Sequence, residues 1–286
     1  MVLQAFGFAF SAVVVWSVAA MIEKKAAVKI GRFITQAVIV GGGIIPTIIY
    51  FLYSGGSIAG VVPISLAIGA GILFGVAGIL YYKSLETERL TNAYATGLIQ
   101  PVIIIIFSVL VLSETITPLA IAGGVAIFAG SFFVSTNKRN RFNWGLFPAF
   151  VANLMWGGWW VLLSLSVTYS GQLAGPITVA RSVGFAVALF LLWFFYPKSK
   201  RIGAHNTRLW GILAIGVIGG ILDGLGNLLN GYLIVLRFLY VGGIIWVLAP
   251  CIVAVLAYFV YKDRLTKVQA MGLIVAIAGA VVVALA

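Results

Sequence analysis

Charge is scarce in this sequence. Of 286 residues only 8% are Asp, Glu, Lys or Arg, and only six are acidic. A soluble domain carries about a quarter charged residues, so this chain has too few to cover a surface facing water. Cysteine and histidine occur once each, as Cys251 and His205. One cysteine forms no internal disulfide, and one Cys with one His cannot assemble a Cys/His metal site. Cys251 sits in an apolar run and reads as a small packing residue. There is no G-x-x-x-x-G-K-[ST] loop to cradle ATP phosphates. There is no H-E-x-x-H or G-x-S-x-G motif, and a single loop histidine provides no catalytic dyad. No metal, cofactor or enzymatic activity is expected. The first segment lacks a basic n-region and an A-x-A cleavage pattern, so it reads as a retained helix.

Apolar residues fill the gap. They make up 63% of the chain, and the mean hydropathy is +1.17. Lipid offers no hydrogen bonds to the backbone, so only helices or closed barrels can span it. The apolar runs are near the ~20 residues a helix needs to cross the hydrocarbon. Barrel strands would be about half that length and would alternate. The chain therefore reads as an all-α integral membrane protein with ten transmembrane helices, at 3–22, 33–53, 59–82, 91–112, 117–136, 144–168, 174–196, 208–234, 240–261 and 266–285. Ser54-Gly55-Gly56-Ser57 and Ser170-Gly171-Gln172 read as turns. Thr117-Pro118 reads as a helix cap followed by proline at the first helical position.

The net charge of +12 is distributed as helix anchors. Of the 18 Lys and Arg, all but Arg181 and Arg237 fall in the odd-numbered loops. Those loops share one side of the membrane, and the positive-inside rule assigns that side to the cytoplasm. Both termini then face outward from the cell membrane. Scattered anchors of this kind make no basic patch for nucleic acid.

The sequence also repeats. Pro101 and Pro250 are offset by 250 − 101 = 149, and the same offset relates Glu114 to Asp263, Thr117 to Thr266, Gly123 to Gly272 and Gly130 to Gly279. Two five-helix repeats are expected, over 1–137 and 143–286, with the polar stretch Asn137-Lys138-Arg139-Asn140-Arg141 at the boundary. An odd number of spans per repeat makes the second insert opposite to the first. Such inverted repeats are a build of secondary transporters, whose solute site lies where the repeats meet.

The two repeat endings carry a family resemblance. Leu98 to Gly130 reads LIQPVIIIIFSVLVLSETITPLAIAGGVAIFAG, and Val247 to Gly279 reads VLAPCIVAVLAYFVYKDRLTKVQAMGLIVAIAG. Proline, an apolar run, an acidic turn and a glycine-bearing last helix resemble the repeat ending of the drug/metabolite transporter superfamily, in its EamA-type families. Trp16 and Trp156 resemble the tryptophan in each repeat's first helix. The resemblance implies a transporter, with export as the implied direction. It also leaves open a lipid-linked sugar flippase or a sugar or nucleotide-sugar carrier, for which Arg181 and Arg237 would be the cationic groups.

Charge inside a span is costly and is usually functional. Asp223 and Arg181 are the two charges that read as well inside spans. Asn227 and Asn230 follow Asp223 at i+4 and i+7, on one helical face. Trp16, Tyr94, Gln100, Asn153, Trp156, Trp160 and Trp246 add polar and aromatic groups from other spans. Pro101 and Pro250 are expected to kink their helices and expose carbonyls to a central cavity. Glu114 and Asp263 are expected to satisfy the first amides of the helices that follow them. The triplet Gly41-Gly42-Gly43 reads as a hinge. The expected function is a carrier of a small organic solute, an amino acid, an amine or a similar molecule. Asp223 would bind an ammonium group or carry a coupling proton, and the protein would act as a monomer or homodimer.

Overall fold

The computed structural model describes residues 1–135, 144–196, 207–261 and 266–286. His205, Asp263, the basic residues Lys138, Arg139, Arg141, Lys198, Lys200, Arg201, Lys262 and Arg264, and the whole of the expected repeat boundary lie outside them.

All regular structure among the described residues is helical. The first repeat holds α1 (Val2–Ile30), α2 (Arg32–Tyr53), α3 (Val61–Thr87), α4 (Leu90–Thr96), α5 (Ile99–Leu110) and α6 (Pro118–Ser135). After a 3-10 turn at Trp144–Leu146, the second holds α7 (Phe147–Ser170), α8 (Ala174–Phe195), α9 (Thr207–Val235), α10 (Leu239–Trp246), α11 (Ala249–Tyr261) and α12 (Lys267–Ala284). Among the described residues, eight spans are long and apolar enough to cross a membrane, and the bent pair α10–α11 makes a ninth. The apolar stretch of α6, Pro118–Val134, is shorter than these.

The two expected kinks are breaks between separate helices, and each lies before its proline. A proline ring clashes with the carbonyl four residues earlier. For Pro101 that residue is Gly97, and α4 ends at Thr96. For Pro250 it is Trp246, the last residue of α10. The axis turns by 41° across the second break. Tight bonds fill the gaps: the Gln100 amide donates to the Gly97 carbonyl at 3.1 Å, and the Leu248 amide to the Ile245 carbonyl at 2.9 Å.

Packing follows the repeat. Helix α1 lies on α9 as α7 lies on α3, and α2 lies on α9 as α8 lies on α3. The last helices of the repeats pair with each other. A Cβ on Gly123 would meet the Gly279 carbonyl at 2.8 Å, and one on Gly279 would meet the Gly123 carbonyl at 2.7 Å. Gly130 and Gly272 face each other in the same reciprocal way. Residue numbers rise on one helix as they fall on the other, so the pair is antiparallel. With no hydrophobic drive between helices in lipid, close backbone contact of this kind supplies the attraction.

Two expectations are corrected. The triplet Gly41-Gly42-Gly43 does not interrupt α2. A Cβ on Gly42 would lie 2.5 Å from the Val217 carbonyl, so the triplet lets α9 approach rather than bend. Glu114 does not cap α6. Thr117 does so, accepting from the Ala120 amide at 3.1 Å. The Glu114 carboxylate reaches the other repeat and accepts from the Leu239 and Tyr240 amides at 2.9 Å each, at the start of α10.

Candidate functional site

The helices end on two faces. One carries Lys24, Arg32, Lys83 and Arg89 and is called the basic end. The opposite end carries Ser54, Ser57, Glu114 and Gly171. At the basic end Lys24 caps the C-terminus of α3, its ammonium donating to the Leu85 and Glu88 carbonyls. Glu86 pairs with Arg32 at 3.1 Å and accepts from the Arg32 amide, which starts α2. Glu86 thus serves the start of α2.

A cavity with about 800 Å³ of space free of protein atoms, open solvent included, lies among α1, α2, α3, α4, α7, α9 and the α10–α11 break. Its walls include Trp16, Tyr94, Gln100, Asn153, Trp156, Trp160, Asp223, Asn227, Trp246 and Pro250. The helices bring together most of the residues that the sequence singles out. Trp246 meets Trp16 edge-on at 4.4 Å between ring centroids, and Trp160 lies 6.3 Å from Trp16. Asn153 is held by bonds to Thr96 and to the Ala149 carbonyl. The α4–α5 and α10–α11 breaks put Gly97, Leu98, Ala249 and Pro250 on the wall.

Three residues lie off the wall. Asn230 is 4% exposed, and its amide packs where a Cβ on Gly242 would stand. Seven residues of helix keep Asn230 nearly in line with Asp223 but about 10.5 Å farther along α9, beside α10. Pro101 sits behind its break. Arg181 is fully buried and reaches the cavity only through Asp223, to which its Nη1 donates at 2.6 Å. The guanidinium stacks 4.6 Å over the Phe74 ring, and its Nη2 occupies the space a Cβ on Gly43 would need. The Asp223 side chain is 14% exposed. Its Oδ1 also accepts from Asn227 Nδ2 at 3.2 Å.

Sequence reasoning misses Glu23, Gln36, Tyr81 and Tyr82, all of which line the cavity. Glu23 escapes notice because Lys24 and Lys25 make its neighbourhood read as loop. Helix α1 instead continues to Ile30. One residue is about 100° of helix, so Lys24 reaches α3 while Glu23 faces inward. Spacing is the signal that could find it: Trp16 and Glu23 are seven residues apart, on one face.

A second hollow lies toward the opposite end, lined by Leu112, Glu114, Val167, Gly171, Val235 and Arg237 among others. Along the chain, Phe107 and Leu163 fall between the linings of the two hollows, and Ile234 lines the second. All three are buried in one apolar cluster with Trp16 and Trp160. Burial pushes the Glu114 carboxyl above the ordinary glutamate value of 4.5, against the backbone hydrogen bonds it accepts from Tyr240 and Leu239.

Comparison with known proteins agrees with the resemblance in the repeat endings. The EamA-like transporter family matches twice, over residues 4–136 and 143–285. No curated protein matches the chain. One protein of known crystal structure is similar in fold, with a TM-score of 0.72 at 18% identity, over 97% of this chain and 95% of that one. Helical repeats packed around a mostly apolar hollow that holds two carboxylates and a double match over nearly the whole length lead to one assignment: the chain belongs to the EamA-like transporter family of multi-pass membrane transporters in the drug/metabolite transporter superfamily.

Proposed function

We propose that the protein is a secondary carrier that moves a small organic metabolite, an amino acid, an amine or a similar solute, through the Asp223 cavity by alternating access. The observation that carries this reading is the pair of hollows with the buried side chains of Phe107 and Leu163 between their linings along the chain. Two vestibules with a closed seam between them are what a carrier needs to expose one site to each side in turn. The breaks at Gly97 and Val247 are places where α4 and α10 can swing. Glu114 fastens α10 at the opposite end, and the main cavity extends toward the basic end. With the basic end in the cytoplasm, this state faces inward.

In this reading the chain inserts as ten spans in two inverted repeats, 1–137 and 143–286, with both termini outside the cell membrane. Export is the direction of transport. Protons or solute exchange supply the drive. The lipid-linked sugar alternative has less support, because a diphosphate headgroup needs a free cation in the main cavity; Arg181 is buried against Asp223 and Arg237 lines the second hollow instead.

The test is flux in proteoliposomes with labelled amino acids, amines and sugars. Wild-type protein should move one of these classes, and Asp223→Asn should abolish or uncouple that movement while remaining folded in detergent. Unchanged flux in the variant would remove Asp223 from the mechanism. Absence of flux for every class would contradict the carrier reading.

A further inference from the structure

The cavity has an imbalance of charge. Among the described residues two carboxylates line it, Glu23 from α1 and Asp223 from α9, and no lining residue is Lys or Arg. Arg181, behind Asp223, answers one of them. Among the described residues no cation pairs with Glu23, because its neighbour Lys24 is committed to the end of α3. Glu23 is only 9% exposed. A carboxylate removed from water needs a proton or a cation to offset its lost hydration.

Two further observations define that partner. Gln100 is 3% exposed and lines the cavity, yet its Oε1 accepts no hydrogen bond. It calls for a donor from the occupant. The wall near Glu23 is aromatic: Tyr81 lies 5.0 Å from Trp156 and 6.3 Å from Tyr94 between ring centroids. Aromatic faces attract cations and favour organic ones.

Resting on the carrier reading, we propose that the transported solute is an organic cation bearing N–H donors, a protonated primary or secondary amine, and that Glu23 is its counter-ion. The ammonium group sits between Glu23 and Asp223, donates to Gln100 Oε1, and leaves its apolar body against Trp16 and Trp156. A zwitterionic amino acid fits less well, since among the described residues no cationic side chain lines the cavity to meet its carboxylate. A proton competes with the amine for Glu23. The other titratable or charged groups around Glu23 are Tyr81 and Tyr82 on α3, Tyr94 on α4, Asp223 on α9 and Arg181 on α8. Of these, Tyr82 hydrogen-bonds to Glu23.

The experiment is a binding titration of purified protein with 2-phenylethylamine, 2-phenylethanol, 3-phenylpropionate and phenylalanine, with melting temperature and calorimetry as readouts. The amine should bind best, and its affinity should fall as the pH is lowered. Glu23→Gln should weaken amine binding by about tenfold or more while leaving the alcohol unchanged, and Glu23→Asp should recover part of it. If Glu23→Gln does not fold, the ligand charge series and the pH series on wild-type protein decide the matter. Equal binding of alcohol and amine, or amine binding indifferent to Glu23 and to pH, would overturn the proposal and leave the carrier reading intact. If nothing in this set binds and no amino acid, amine or sugar is moved in proteoliposomes, both fall.

Discussion

Arg181 Nη1 and Asp223 Oδ2 meet at 2.6 Å with the arginine fully buried and the aspartate at the cavity wall. One ion pair therefore joins α8 and α9 and also holds a carboxylate at the cavity wall. Removing either member leaves the other charge without its partner. Asp223→Ala is expected to lower stability by about 3–5 kcal/mol. The double variant Asp223→Asn with Arg181→Met should recover most of that stability without transport. Thermal melts in detergent, paired with flux in proteoliposomes, separate the structural role from the functional one.

Much of this arrangement is legible in the order of residues alone. The 149-residue offset marks the two breaks, because proline acts on its own helix and its effect is local. Tryptophans and Asn153 are legible as wall residues because bulky and polar groups inside spans have few other uses. What is not legible is contact between repeats. Glu114 lies three residues before Thr117 and reads as a local cap, yet its partners are Leu239 and Tyr240. Glu23 is hidden by the lysines that follow it, since a charged cluster reads as a helix end. The glycines of α2 read as a hinge because sequence shows their small size but not the α9 backbone pressed against them.

The reciprocal glycine contacts give a sharp contrast. A side chain at Gly130 would put its Cβ 2.5 Å from backbone atoms of α12. Gly130→Ala should therefore cost roughly 1–3 kcal/mol through forced displacement of α12. Gly7 on α1 has no atom within 4 Å of such a position. Gly7→Ala should be neutral or slightly stabilising, by up to about 1 kcal/mol. Melting temperatures of the two variants check both signs.

Glu114 predicts a pH dependence. Its carboxyl titrates above 4.5 in the folded protein, so the folded state holds that proton more tightly than the unfolded chain. The stability this contributes is present at low pH and is lost as the pH rises through the folded value. Glu114→Gln cannot ionise and should flatten that part of the curve. Glu114→Ala leaves the Leu239 and Tyr240 amides without an acceptor and should cost roughly 1–3 kcal/mol for each. Melting curves from pH 4.5 upward, for wild type and both variants, test the sign.

The distribution of Lys and Arg predicts topology. A tag at the C-terminus should be reached by an impermeant reagent in intact cells. Labelling that requires permeabilised cells would reverse the orientation and make the present state outward-facing.

The central claim is that the cavity is open to one side of the membrane at a time. Leu98 lines it and is partly exposed, so Leu98→Cys reports access once the native thiol is removed by Cys251→Ala. The measurement is the labelling rate by an impermeant maleimide in inside-out and right-side-out vesicles. Without solute, labelling should come from the cytoplasmic face. Saturating solute should slow it there and permit it from the other face. Equal labelling from both faces at once, or from neither under any condition, would contradict alternating access through this cavity.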